Sequence, residues 1–167
     1  MHIHHTDVHH TDLRALLETV KPASVLLIDP DPQGLPRAYL DAHPECRVTR
    51  LQDEVWTQLQ RLGRFDLGVV ANTLEYLDRK TAGMVLARLR DVNTARFVAL
   101  VPLGNKWPGL SGYWEEGDVL SYGLSVMARY RVDDRPVRLY HYAIQSYKTT
   151  PDWFNSKDWA HPERWKP

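Results

Sequence analysis

Glycine is scarce in this chain, and unevenly placed. Nine glycines stand among 167 residues, and none precedes Gly34. The first 33 residues therefore hold no glycine-rich turn of the kind that brings backbone close to a ligand. Cysteine is scarcer still. The single Cys46 excludes an internal disulfide and makes a cytoplasmic location the default expectation. Neither sign of charge is in excess, with 21 basic and 21 acidic residues. That balance removes the bulk electrostatic case for nucleic-acid or anionic-membrane binding. No apolar run approaches the roughly 18 residues of a membrane span, and no basic start leads into an apolar signal segment. A G-x-S-x-G elbow, a Walker glycine-lysine loop, H-E-x-x-H and paired C-x-x-C are all missing, which lowers the hydrolase, NTPase and zinc-enzyme readings.

What is present reads as an alternation. Residues 1–12 (MHIHHTDVHHTD) hold five of the eight histidines without a core-building period, and suggest a loosely docked arm with no fixed metal-ligand spacing. Residues 13–167 read as one domain. Thr11 or Asp12 can cap a helix to about Val20, striped by Leu13, Leu16, Leu17 and Val20. Ser24 to Asp29 is short and continuously apolar up to the aspartate, as a strand buried on both faces would be. A short helix is expected over 33–42, an edge-type strand over 46–51 and a helix from Asp53 ended by Gly63. A buried strand follows over 65–71, then a helix capped by Asp78 and a buried strand over 96–101. This order implies a mostly parallel sheet with helices on both faces. Twelve of the 17 aromatic residues follow Lys106. There the sequence predicts a long loop over 103–117, a helix over 118–129 and a turn at Asp133-Asp134-Arg135. An antiparallel strand is expected over 137–147, then an aromatic-rich tail.

In an open α/β sheet, ligands bind beyond the carboxyl ends of the strands, where strand order reverses. That places Asp29 to Gly34, Asn72 to Glu75 and Pro102 to Asn105 together. The segment FDLGVVANTLEYLD, Phe65 to Asp78, resembles the fourth-strand region of class I S-adenosylmethionine-dependent methyltransferases. There an FD-plus-apolar strand runs into Asn or Asp and a Leu-Glu-His-Leu-like helix start, and Tyr76 stands in the histidine's place. ARFVALVP and, more loosely, YWEEGDVL are similar to later parts of that family. The resemblance implies a three-layer Rossmann-like fold and S-adenosylmethionine as a cofactor, with no metal.

The sequence departs from that family at the glycine-rich turn. If 24–28 is the first strand, Asp29, Pro30, Asp31 and Pro32 hold the glycine positions. If it is the second, Asp29 is the acid expected to hold the ribose hydroxyls and Asp53 lies by the adenine edge, but the first strand unit is absent. In both registers one βα unit is missing or rewritten. Both put 46–51 outside 24–29, with 65–71 and 96–101 on its other side.

The residues expected at a cofactor are Asp29, Pro30, Asp31, Asp53, Asn72 and Thr73. Glu75, Trp107, Tyr113 and Trp114 are candidates for a substrate face or lid. Two functions fit: a divergent methyltransferase acting on a small molecule or protein, or a non-catalytic interaction module of the same descent, with a homo-oligomer as one form. For the second, the motive is the aromatic-rich last third, because Trp and Tyr are enriched at interface hot spots. His141, in an alternating strand, reads as a structural histidine, and Cys46 as a small apolar side chain.

Overall fold

The computed structural model describes residues 8–104, 107, 110 and 113–143. Its centre is a six-stranded sheet in the order β2-β1-β3-β4-β6-β5. The first four are β1 (Ser24–Ile28), β2 (Arg47–Leu51), β3 (Leu67–Val70) and β4 (Arg96–Pro102). They pair in parallel, and β1 lies directly between β2 and β3. This is the order that both registers of the resemblance imply.

Strand alternation divides the core into two halves, because successive side chains point to opposite faces. Leu26 and Ile28 of β1 pack with α3 (Val55–Leu59), α4 (Arg79–Arg88) and α5 (Glu116–Leu120). Val25 and Leu27 pack with α1 (His10–Val20) and α2 (Arg37–Ala42). Val25 through Ile28 have no exposed surface, so β1 is covered on both sides. The continuous apolar run in the sequence has that cause.

The helix ends are set by local chemistry. Asp78 caps α4 by accepting the Thr81 N–H at 3.0 Å. After Arg88 the helix widens by a turn of π type over Leu89–Asn93. Buried Asn93 then pins the connection before β3, its amide donating to the Leu62 and Gly63 carbonyls at 3.1 and 2.8 Å.

Two expectations need correction. The first concerns the arm. Residues 8–12 belong to the body: His9 precedes α1 and is fully buried, and Asp12 is buried with its carboxylate accepting the Tyr130 hydroxyl. Asp12 therefore ties α1 to Tyr130 within the same core layer, and neither it nor Thr11 is the cap. His2, His4 and His5 lie outside the described residues.

The second is the helix expected over 118–129. Only α5 (Glu116–Leu120) forms, opened by the Glu115 N–H donating to the Asp118 carboxylate at 2.8 Å. Gly123 takes φ +90°, a left-handed conformation that ends the turn cheaply only for glycine. The chain then runs into β5 (Ser125–Val132). Val119, Leu124 and Met127 fit a helical stripe, but Val119 packs from α5, Leu124 and Val126 pack on one face of the sheet, and Met127 packs on the other. The neighbour of β5 is β6 (Arg135–Ala143), joined to it through Asp133 and Asp134, both at positive φ. β6 lies antiparallel to β4, as its sequence suggests. Positions 144–147 of that expected strand, and the aromatic tail, are outside the described residues.

Candidate functional site

The strands β1 and β3 end side by side, and their next residues fold onto one another. Asp29 continues the ladder, its N–H donating to the Leu51 carbonyl at 3.1 Å. Asn72 turns the chain at φ +52°, a conformation that asparagine tolerates better than most residues. Its amide donates to Asp29 Oδ1 at 3.2 Å. The Thr73 hydroxyl donates to the Ala71 carbonyl at 2.8 Å, which fixes the turn. The three residues are buried.

The loop after Asp29 winds tightly despite its two prolines. The Asp31 N–H donates to the Asp29 carboxylate, and the Gln33 N–H to the Asp31 carboxylate, each at 2.9 Å. These aspartate-to-backbone bonds build consecutive turns without any positive φ. Gly34 then closes over Asp29, where an added Cβ would stand 2.5 Å from Oδ2. Asp29 is thus 1% exposed and held within its own loop.

Glu75 occupies the 3-10 turn Leu74–Tyr76 and is equally enclosed. Burial pushes its carboxyl up to about 7, the neighbouring Asp29 charge adds to the rise, and the backbone N–H groups of Glu75 and Thr73 partly oppose it. Two carboxyls thus stand close together in a dry layer at the strand ends. The sign for stability follows from comparing folded and unfolded chains. Below pH 4.5 both forms of Glu75 are neutral. From pH 4.5 to about 7 the unfolded chain ionises first, so stability is lost across that window, by about 3 kcal/mol in total. Glu75→Gln is expected to flatten this loss in denaturant titrations between pH 4.5 and 8.

In front of this layer lies a cleft of about 440 Å³. One wall is the β2–α3 connection with Asp53, Glu54, Val55 and Trp56. The other is Asn72, Thr73, Tyr76 and Leu77 after β3, and Pro30 closes one end. The volume is in the usual range for a small-molecule site, at the reversal of strand order where such sites form. Asn72 presents a buried Oδ1 with no hydrogen-bond partner among the described residues. The wall carries two carboxylates and no lysine or arginine. Among the described residues no group of three or more His, Cys, Asp or Glu is arranged to hold a metal.

Of the residues expected at a cofactor, Pro30, Asp53, Asn72 and Thr73 meet on this cleft, whereas Asp29 and Asp31 do not line it. The expected lid residues lie elsewhere. Trp107 is 5% exposed, with its indole N–H donating to the Leu103 carbonyl at 2.8 Å. Trp114 is 2% exposed in the α4–α5 core, with the Arg79 guanidinium 4.1 Å from its ring centre. Tyr113 is half exposed and offers only its carbonyl, to Arg79. Glu75 stays behind the wall. Trp56 and Leu77 are site residues that sequence reasoning assigned to a helix face or passed over. Trp56 sits one position from the buried stripe of α3, and the half-buried indole serves core and cleft together.

Residues 7–167 match a family of unknown function, DUF6231. The chain belongs to that family. No curated protein sequence matches it. TehB from Haemophilus influenzae is 10% identical with a TM-score of 0.56, over 80% of this chain and 62% of TehB. Magnesium protoporphyrin IX methyltransferase (ChlM) from Synechocystis PCC 6803, solved with bound S-adenosylhomocysteine, is 12% identical with a TM-score of 0.56, over 78% of this chain and 79% of ChlM. The methyltransferase domain of bacterial CtHen1-C is 11% identical with a TM-score of 0.52, over 79% of this chain and 94% of that domain. This DUF6231 chain therefore spans less than two thirds of TehB. At such identities the likeness establishes a methyltransferase-like, Rossmann-type fold. No helix among the described residues is long and apolar enough to cross a membrane.

Proposed function

We propose that this protein is a divergent methyltransferase-like protein that binds S-adenosylmethionine in the cleft between the β2–α3 and β3–α4 connections. The observation that carries the reading is that Asn72, which lines the cleft at the reversal of strand order, has a buried Oδ1 with no partner among the described residues. A buried acceptor left without a donor costs stability, so its persistence suits a site that a ligand donor completes.

The other wall residues suit the cofactor's chemistry in part. Trp56, Val55 and Leu77 offer apolar surface for a nucleoside base, and Asp53 can accept hydrogen bonds from ribose or base. Asp53 and Glu54 attract a sulfonium cation, whereas a dinucleotide or nucleoside triphosphate would bring phosphates against two carboxylates. The glycine cradle for the methionine half is replaced by the closed Asp29–Gly34 loop. That half would lie over the loop, with none of the usual backbone approach. When bound, the cofactor supplies an activated methyl group. The protein's task is to hold donor and acceptor in line, which needs few acid–base residues.

Calorimetric titration with S-adenosylmethionine and S-adenosylhomocysteine tests this. Saturable micromolar binding is expected, weakened about tenfold by Asp53→Ala or Trp56→Ala. A flat titration at millimolar cofactor, or full binding by both variants, overturns it. The alternative of an interaction module takes no support from Trp107 and Trp114, which are spent on the core.

A further inference from the structure

A second cavity, of about 400 Å³, opens on the other helical layer, beside α2. It shares no lining residue with the cleft, although the same loop walls both: Pro30 faces the cleft, Pro32 and Gln33 this cavity. Its chemistry is the reverse of the cleft's. Arg37 from the first position of α2 and Arg50 from β2 both line it, with His10 of α1, and no carboxylate does. Arg50 reaches it because alternation along β2 turns Val48 and Arg50 toward α2 and Leu51 toward α3.

Among the described residues, neither the Arg37 nor the Arg50 side chain joins an ion pair or hydrogen bond, while Arg14, Arg79, Arg90, Arg129, Arg131 and Arg138 each pair with a carboxylate. In a chain with equal numbers of acids and bases, two unneutralised guanidinium groups on one concave surface are a local excess. Guanidinium forks match oxyanions in shape and charge, and phosphate most fully, since its two negative charges balance two arginines. Leu35 and Leu40 give the same cavity apolar surface, and its volume exceeds what a bare phosphate fills.

We infer that this cavity is a binding site for the phosphate monoester of a small organic group, with Arg37 and Arg50 as the anion ligands and Leu35 and Leu40 against the organic part. The site is independent of the cleft and of any methyl transfer there.

Titration of the full chain with inorganic phosphate and with phenyl phosphate, at ionic strength held constant with sodium chloride, tests the assignment. Both are expected to saturate, phenyl phosphate about tenfold tighter because its ring meets the leucines. Arg37→Gln with Arg50→Gln is expected to weaken both by at least about tenfold. Arg61→Gln with Arg64→Gln removes the same charge from exposed positions outside the cavity and is expected to leave both curves in place. The four substituted side chains are exposed, and far-ultraviolet dichroism confirms that each variant folds. No saturation at roughly 50 mM of either probe overturns the assignment. Equal losses in the two double variants overturn it too, since they would show general charge attraction. Loss of cofactor binding in the cleft with phosphate binding intact would refute only the methyltransferase reading.

Discussion

Acidification from pH 6.5 to 3 is expected to remove about 5 kcal/mol of folding stability through one side chain, His141. His141 lies in β6, opposite Val98 of β4 and Ser125 of β5, and is 2% exposed. Burial pushes its imidazole down to about 3, and the positive charge of Arg96 adds to the effect. The folded protein thus keeps the ring neutral while the unfolded chain protonates it near 6.5. The associated stability is full above pH 6.5 and is lost as pH falls toward 3. Denaturant titrations of the wild type and His141→Gln over this range separate the effect from that of the carboxylates. The wild type should steepen its fall below pH 6.5 by the stated amount, and equal slopes in the two proteins would refute the account. Between pH 4.5 and 6.5 Glu75 acts in the opposite sense, because there its ionisation favours the unfolded chain. The two contributions cancel between pH 4.5 and 6.5, so the combined expectation is a plateau there, with stability falling below pH 4.5 through His141 and from pH 6.5 to about 7 through Glu75.

Trp114→Ala is expected to destabilise the protein by about 3–5 kcal/mol, the usual range for deleting a buried indole. Trp114 is 2% exposed and packs in the core cluster that includes Val85, Val101 and Val119. It also anchors the chain's return to the sheet, where the Gly104 N–H donates to its carbonyl at 2.9 Å. Arg79 lies over the ring, and a cation against an aromatic face adds a smaller contribution. Thermal melts with Trp114→Phe as the conservative partner test this. Trp114→Ala should fall far below Trp114→Phe. A melting temperature unchanged in Trp114→Ala would instead mark the residue as a surface lid.

The contrast shows where the sequence was legible. The parallel strands were readable because burial on both faces leaves an unbroken apolar signature at Val25–Ile28, Leu67–Val70 and Phe97–Val101. The Asp78 cap and the Asp133-Asp134 turn were readable because their chemistry is local. The helix expected over 118–129 was not, because β5 is buried on both faces and so leaves no alternation to read, and its pairing partner β6 is set by tertiary contact. Trp107 and Trp114 misled for a related reason: composition shows that aromatics cluster, but not on which side of the backbone they fall. The strand-end site was legible in part. Asn72, Thr73 and Pro30 follow from the rule about carboxyl ends, and Asp53 from the resemblance to methyltransferases. The enclosure of Asp29 depends on how Gly34 folds back over it, and that closure is not a property of any single position.

The reduced sheet also changes what its rim must do. No strand lies beyond β2, and one side of its backbone has no ladder partner, among the described residues. An open ladder is a template on which another chain can assemble, and a flat apolar rim would invite fibril growth. β2 is five residues long and carries the exposed Arg47 and Arg50 on its two faces, Arg50 at the mouth of the cavity beside α2. Two like-charged copies approaching rim to rim would bring four guanidinium groups together. Among the described residues, the outer edge of the sheet thus carries like charges that oppose edge-to-edge pairing with a second copy.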